Sequence, residues 1–262
     1  MSDVEGRPAG TMSPERRYGI AISVALILGG VYWALTSLTE STKTSYDVYP
    51  VVGSALTIET SSVDVAVEAK DVKEITVNRR VERNALGSDP KDDYDNGRLH
   101  IKDTGCGFLS FGCDTDYVVT VPKDLAVTIK TSSGDLKVTE LGGTTTLKSS
   151  SGKIEANAVS GDLSMDTSSG NLEAAGLSSS SVTGKTSSGN VDLEFRTAPL
   201  KVDAKSSSGD VTVLLPTGAE TYRVDADTKS GDEVAKVKVD PAATRIITLE
   251  SSSGDTTVEY DR

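Results

Sequence analysis

Thr131-Ser132-Ser133-Gly134-Asp135 opens a series that continues as Ser150-Ser151-Gly152-Lys153, Ser168-Ser169-Gly170-Asn171, Ser187-Ser188-Gly189-Asn190, Ser207-Ser208-Gly209-Asp210, Lys229-Ser230-Gly231-Asp232 and Ser252-Ser253-Gly254-Asp255. Successive glycines stand 18, 18, 19, 20, 22 and 23 residues apart, a near-constant period of the kind that decides a fold before any local reading. So much Ser and Gly would suit a flexible linker, but a linker has no reason to keep apolar residues in phase with its glycines. Here Leu136, Ile154, Leu172, Val191, Val211, Glu233 and Thr256 lie two residues after a glycine. Val138, Ala156, Ala174, Leu193, Val213, Ala235 and Val258 lie four after. A period of two is that of a strand with one face buried. The pattern predicts an all-β fold, a parallel β-solenoid in which every Ser-Ser-Gly is a corner. At that corner glycine is expected to supply a left-handed backbone angle, and the following Asp or Asn to bond neighbouring amides.

A half-period supports two straight segments per coil, because Gly143, Gly152, Gly161 and Gly170 are nine residues apart and Val159-Ser160-Gly161-Asp162-Leu163 copies the motif out of phase. Leu56-Thr57-Ile58-Glu59-Thr60-Ser61-Ser62-Val63-Asp64-Val65 repeats it without the glycine, so the stack is expected to begin near residue 50. Further strands are predicted at 75–77, 99–101, 117–121 and 127–129. Terminal coils expose unpaired edges, and the charged run Glu259-Tyr260-Asp261-Arg262 is the expected guard of the last one.

Tyr18 to Thr39 is an uncharged run of 22 residues, about 33 Å as a helix and long enough for a bilayer. Arg16 and Arg17 precede it and Glu40 follows, which predicts a cytoplasmic N-terminus at 1–17, one transmembrane helix at 18–39, a linker at 40–49 and an extracytoplasmic β-solenoid at 50–262. The alternative, a cleaved signal peptide, suffers from the length of the apolar run and the lack of an Ala-x-Ala site. The chain's net charge of −12 falls entirely after residue 39, since the charges of 1–17 cancel. An acidic ectodomain repels nucleic acid and anionic lipid.

Tyr117-Val118-Val119-Thr120-Val121-Pro122-Lys123, followed by Val127-Thr128-Ile129-Lys130 and the Ser-Ser-Gly corners, resembles the bacterial β-strand-repeat family described as candidate adhesins, over about residues 50–260. The resemblance implies a β-solenoid at the cell envelope with no established activity and no catalytic residues to carry over.

The chemistry-bearing residues are few. Cys106 and Cys113, the only cysteines, read as a disulfide closing a small loop that holds Phe108 and Phe111. A zinc site through His100 would want four ligands, and His100 is the only histidine. Between Leu99 and Ile101 it reads as an outward strand residue. Asp210, Asp232 and Asp255 in successive coils would stack about 5 Å apart, screened by water or bridged by a cation such as Ca²⁺. No Gly-x-Ser-x-Gly elbow accompanies the serines, and Leu215-Pro216-Thr217-Gly218 lacks both the extra residue and the apolar tail of a sorting signal. No catalytic residue, metal or cofactor is predicted. The expected function is a membrane-anchored surface scaffold or adhesin-like module whose Ser/Thr/Asp-lined faces meet an unidentified surface polymer or protein. A carbohydrate-active enzyme on a β-solenoid and an envelope-stress sensing component are the alternatives.

Overall fold

A computed structural model describes residues 41–83, 91–103 and 114–261. The predicted transmembrane segment and the loop bearing Cys106 and Cys113 lie outside these residues. Among the described residues there is no helix, and 21 strands form two sheets. β1 (Ser41–Pro50) occupies the stretch expected as linker, and β2 (Ala55–Glu59) and β3 (Asp64–Lys70) flank the glycine-less corner. β4 (Glu74–Arg83) and β5 (Lys91–Asp95) lead to β6 (Arg98–Asp103) and β7 (Asp114–Pro122). Each later corner then joins two strands. These are β8 (Ala126–Lys130) and β9 (Leu136–Thr139), β10 (Thr145–Lys148) and β11 (Ile154–Asn157), β12 (Leu163–Thr167) and β13 (Leu172–Leu177), and β14 (Ser181–Thr186) and β15 (Val191–Phe195). The series ends with β16 (Lys201–Lys205) and β17 (Val211–Leu215), β18 (Arg223–Thr228) and β19 (Glu233–Lys236), and β20 (Ile246–Ser251) and β21 (Thr256–Tyr260).

The first strand of each coil joins one sheet and the second joins the other, and from the β6–β7 rung through to the β18–β19 rung every pairing between successive rungs is parallel, which is the ladder of a β-solenoid. The residues two and four after each glycine point between the sheets. Leu136, Val138, Ile154, Ala156, Leu172, Val191, Leu193, Val211, Val213 and Val258 are all buried there, and only Glu233 and Ala235 of the end rung are exposed. Leu214 lies outward between buried Val213 and Leu215, as strand alternation requires.

Chain order and stacking order differ at both ends. β20 and β21 insert between β16–β17 and β18–β19, and β2 and β3 insert between β6–β7 and β8–β9. Burial accounts for the exchange. β20 presents Ile247 and Leu249 to the interior and is covered on both sides, whereas β18, with Asp225 and Asp227, and β19, with Glu233 and Lys236, take the exposed end. The guard of that edge is therefore the β18–β19 rung, and the run from Glu259 sits one rung inside, a correction to the expectation from sequence order.

The corner glycines have a reason other than the expected left-handed angle. Of those from Gly134 on, only Gly231 and Gly254 have positive φ, 157° and 146°. A Cβ on Gly152 would stand 2.0 Å from the Gly134 carbonyl oxygen, and one on Gly170 1.9 Å from that of Gly152. Gly189 and Gly209 would each meet the carbonyl below at 2.2 Å. Glycine is needed because adjacent rungs touch backbone to backbone. The left-handed residues lie six positions later, at Glu140 (φ 60°), Ala158 (φ 53°) and Gly176 (φ 64°), where the chain leaves the second sheet.

The N-terminal end is closed by antiparallel strands, β1 on β4, β4 on β7 and β5 on β6. Arg79 of β4 ties the two sheets together: its guanidinium bonds Asp47 of β1 and Asp92 of β5, and its Nε donates to Ser45 Oγ at 2.9 Å. The Asp92 side chain is only 2 % exposed. Burial opposes the Arg79 charge, but Asp92 and Asp47 outweigh it and its pKa is raised. Tyr117 is buried beside this group, and desolvation with the neighbouring Asp92 pushes its phenol far up.

Two expectations follow. Gly170→Ala should cost about 3 kcal/mol or more by driving a methyl into the rung below, whereas Ala158→Gly should be neutral or gain up to about 1 kcal/mol by relieving a left-handed backbone; urea melts of the two variants test the contrast. Arg79→Met should cost about 3 kcal/mol by stranding a buried carboxylate, and Asp92→Asn added to it should recover part of that loss in the same melts.

Candidate functional site

The corner that shapes the rod also organises its polar groups. At every corner but that of Lys153 and the terminal Asp232, the residue at this position, Asp64 at the glycine-less corner and an Asp or Asn after the glycine elsewhere, accepts through its side-chain oxygen the backbone N–H of the equivalent residue one rung along. Asp64 takes the N–H of Asp135 at 2.8 Å, Asp135 that of Lys153 at 2.8 Å, Asn171 that of Asn190 at 3.1 Å and Asn190 that of Asp210 at 3.0 Å. Asp210 takes that of Asp255 at 2.9 Å, and Asp255 that of Asp232 at 2.8 Å. The three acidic corners predicted to need screening or a cation thus follow the order 210, 255, 232, and two of them are answered by amide dipoles. Among the described residues no cluster of His, Cys, Asp or Glu has the geometry to hold a metal.

A second seam lies three residues before each glycine: Thr131 Oγ1 and Ser149 Oγ accept the N–H of their own corner's Gly134 and Gly152 at 3.2 and 2.8 Å, and from Thr167 on the hydroxyl donates to the glycine carbonyl of the adjacent rung. Thr167 reaches Gly152 at 3.3 Å, Thr186 Gly170 at 3.0 Å, Ser206 Gly189 at 2.9 Å, Ser251 Gly209 at 3.0 Å and Thr228 Gly254 at 2.8 Å. The sequence reading missed this seam, although a Thr or Ser stands at that position in every corner from Thr131 on. The paired serines between seam and glycine are mostly exposed and stack as a ridge, with backbone bonds such as Ser151 N–H to Ser132 O at 3.1 Å and Ser169 N–H to Ser150 O at 3.1 Å. Buried hydroxyls hold the corner, and exposed ones line it.

The two flat faces differ in chemistry. On the outside of the sheet containing β8, Thr57, Thr128, Thr146, Ser164 and Thr183 are in direct register on consecutive strands. At about 4.8 Å per strand they form one continuous rank of five hydroxyls, which Asp203 and Thr248 extend. Beside it runs a mixed rank of Glu59, Lys130, Lys148, Asp166, Lys185, Lys205 and Glu250, four cations against three anions. Its ions are paired along the stack, as in Lys130 with Glu59 at 3.4 Å and Lys205 with Glu250 at 2.7 Å. His100 points outward at the end of this face, 3.9 Å from the same Glu59, between buried Leu99 and Ile101.

The opposite face is acidic. Lys137, Glu155, Glu173 and Asp192 follow one another across β9, β11, β13 and β15, with Lys153 Nζ between Glu155 and Glu173 at 2.7 Å from each. Lys153 and Lys137 hold Glu155 below the usual carboxylate range against its partial burial. Asp192 lies beyond their reach. Desolvation, then Glu173 and Asp210, raise its pKa, and a bond with Thr212 only partly offsets them. A group with a raised folded pKa takes up protons more readily folded than unfolded, so its charge penalises the fold above the carboxylate range and not below it. Asp192→Asn should therefore raise Tm at neutral pH by about 1–2 °C, an effect that fades as pH falls through the carboxylate range; paired calorimetric scans at pH 7 and pH 3 read the difference.

Among curated proteins nothing matches the chain. Solved structures do: a candidate adhesin from Parabacteroides distasonis is 12 % identical, with a TM-score of 0.50 over 82 % of this chain and 97 % of that one. A candidate adhesin from Bacteroides fragilis is 18 % identical, with a TM-score of 0.48 over 84 % of this chain and 98 % of that one. A candidate lipid-binding protein, also from Parabacteroides distasonis, is 14 % identical, with a TM-score of 0.34 over 84 % and 97 % of the two chains. At these identities the first of them speaks for the fold alone. The match that assigns the chain spans residues 54–262, all but the first strand of the described stack: the chain belongs to the Toastrack DUF4097 family.

Proposed function

We propose that this protein is a membrane-anchored, extracytoplasmic β-solenoid that serves as a binding scaffold, and that it meets a surface polymer through the face carrying Thr57, Thr128, Thr146, Ser164 and Thr183. The anchor is the uncharged run 18–39, with 1–17 in the cytoplasm, and Cys106 and Cys113 form a disulfide in the oxidising space outside. The observation that carries the reading is the register of the five hydroxyls. A rigid row of groups that both donate and accept, repeated at one strand spacing, is complementary to an extended polymer that repeats its own polar groups. Sparse aromatic or apolar surface on this face argues against an ordinary protein core interface.

Electrostatics favours the same face. The molecule as a whole is strongly acidic, but the rank flanking the hydroxyls carries both signs in near balance, so a neutral or anionic polymer can approach there without the repulsion it would meet on the Glu155, Glu173 and Asp192 side. Binding, in preference to catalysis, is supported by the outward, strand-locked position of His100, and it accords with the name of the Parabacteroides distasonis candidate adhesin that shares the fold.

Full-length protein in lipid nanodiscs should co-sediment with insoluble cell-wall polysaccharide, and the triple change Thr128→Val, Thr146→Val and Thr183→Val, which keeps the strand shape, should weaken retention about tenfold, roughly 1.4 kcal/mol. Equal retention of parent and triple variant, with unchanged circular dichroism, would move the binding surface elsewhere. No retention of either would remove the polymer reading.

A further inference from the structure

The ends of the two sheets are guarded unequally. β5, the N-terminal edge of its sheet, is five residues long and carries Lys91, Asp92, Asp93 and Asp95. At the other end β18 carries Arg223, Asp225 and Asp227, and β19 is four residues long with Glu233 and Lys236. Short, charged edges resist pairing with another chain. β1 is different. It has ten residues, Ser41-Thr42-Lys43-Thr44-Ser45-Tyr46-Asp47-Val48-Tyr49-Pro50, without a glycine or bulge, and proline comes only at its end. One side pairs with β4 through all ten, and among the described residues no strand covers the other. Its outward side chains include Tyr46 at 64 % and Val48 at 44 % exposure, two of the most exposed large hydrophobic residues in the stack.

We propose that β1 is a self-association edge, pairing antiparallel with β1 of a second copy of this chain about a dyad at Ser45. A two-fold axis normal to the sheet keeps inner faces with inner and outer with outer, so the numbers of opposed residues sum to an even value. A sum of 90 sets Lys43 against the partner's Asp47 and Asp47 against the partner's Lys43, with Tyr46 over the partner's Thr44 and Val48 over the partner's Thr42. The neighbouring registers are poorer: a sum of 86 opposes Lys43 to the partner's Lys43, 94 opposes Asp47 to the partner's Asp47, and 88 and 92 leave both charges opposite neutral residues. Opposite charges directly across antiparallel strands stabilise the pair and like charges destabilise it. Asp47, held by Arg79 on one side, keeps its side chain 41 % exposed and can accept a second cation.

Register 90 aligns nine residues of each strand, a backbone ladder about 30 Å long that continues one sheet into the next molecule. The pairing needs only β1. The anchor proposed at 18–39 would strengthen it, because two copies held in one bilayer by segments ending two residues before β1 meet at raised effective concentration.

The test uses the full chain in mild detergent with its native cysteines, the unsubstituted protein setting the background. Ser45→Cys should give a covalent dimer on oxidation, since opposed Cβ atoms lie about 5 Å apart. Val48→Cys, whose counterpart is displaced by about 20 Å, should give about tenfold less. Lys43→Glu should raise the dissociation constant of the non-covalent dimer about tenfold by light scattering. A parent chain that stays monomeric through the micromolar range, cross-linking at 48 equal to that at 45, or a dimer indifferent to Lys43→Glu overturns the proposal. A dimer that survives Lys43→Glu but is lost on deleting residues 1–39 would assign association to the anchor and leave β1 unpaired.

Discussion

The closest physical constraint in this protein is the approach of one backbone to the next at the corner. Backbone carbonyls, of Val63 below Gly134 and of glycine in the later rungs, lie so near the α-carbon of the adjacent rung that a methyl would sit about 2 Å from oxygen at Gly134, Gly152 and Gly170. That approach lets both neighbouring strands of a coil stay in parallel register, because the turn between them takes no more height than the strands do. It also leaves the corner without side chains to cover its amides. The covering falls to the residues on either side, an Asp or Asn just after the glycine that accepts the next N–H, and a Thr or Ser three before that donates to a carbonyl. Backbone amides and carbonyls that the close stacking would otherwise orphan are thereby offered partners by these side chains.

This arrangement gives the stacked corner carboxylates partners from the backbone. Asp210 and Asp255 each hold an amide hydrogen, so their charge is met by aligned N–H dipoles and the exposed side by solvent. Lys153 breaks the row as an acceptor, since it has no oxygen to offer, and its ammonium turns instead to Glu155 and Glu173 on the flat face. The same rung geometry spaces surface chemistry at one-strand intervals. Hydroxyls collect on one face and carboxylates on the other because each strand contributes the same alternate positions to the same side.

The ends obey a different rule. A repeat can extend indefinitely only if its last rung is as well buried as the others, and here the exchange of rung order puts the more apolar β20–β21 inside and the charged β18–β19 outside. At the N-terminal end the interior is closed by antiparallel strands and by Arg79, whose one guanidinium joins β1, β4 and β5 across both sheets. Such a buried ion group contributes little net stability compared with an apolar plug, but it fixes which strands lie together.

The sequence alone was enough for the strand period, the parallel coils, the corner positions and the inward residues, because those depend on spacing along the chain: glycine and aliphatic side chains recur in phase, and only a stacked coil buries them all. It misassigned the reason for glycine, since close approach between rungs involves residues 18 or more apart and leaves no mark different from a left-handed turn. It placed Asp232 between Asp210 and Asp255, for chain order carries no record of a rung inserted later. The hydroxyl seam was legible at Thr131, Ser149, Thr167 and their successors but had no meaning until its partners were in view, the corner's own glycine N–H for the first two and the neighbouring glycine carbonyl from Thr167 on. The hydroxyl rank, the Arg79 cluster and the open edge of β1 belong to the tertiary structure, because each is made by strands brought side by side from distant parts of the chain, and proximity of that kind is set by which rungs compete best for burial.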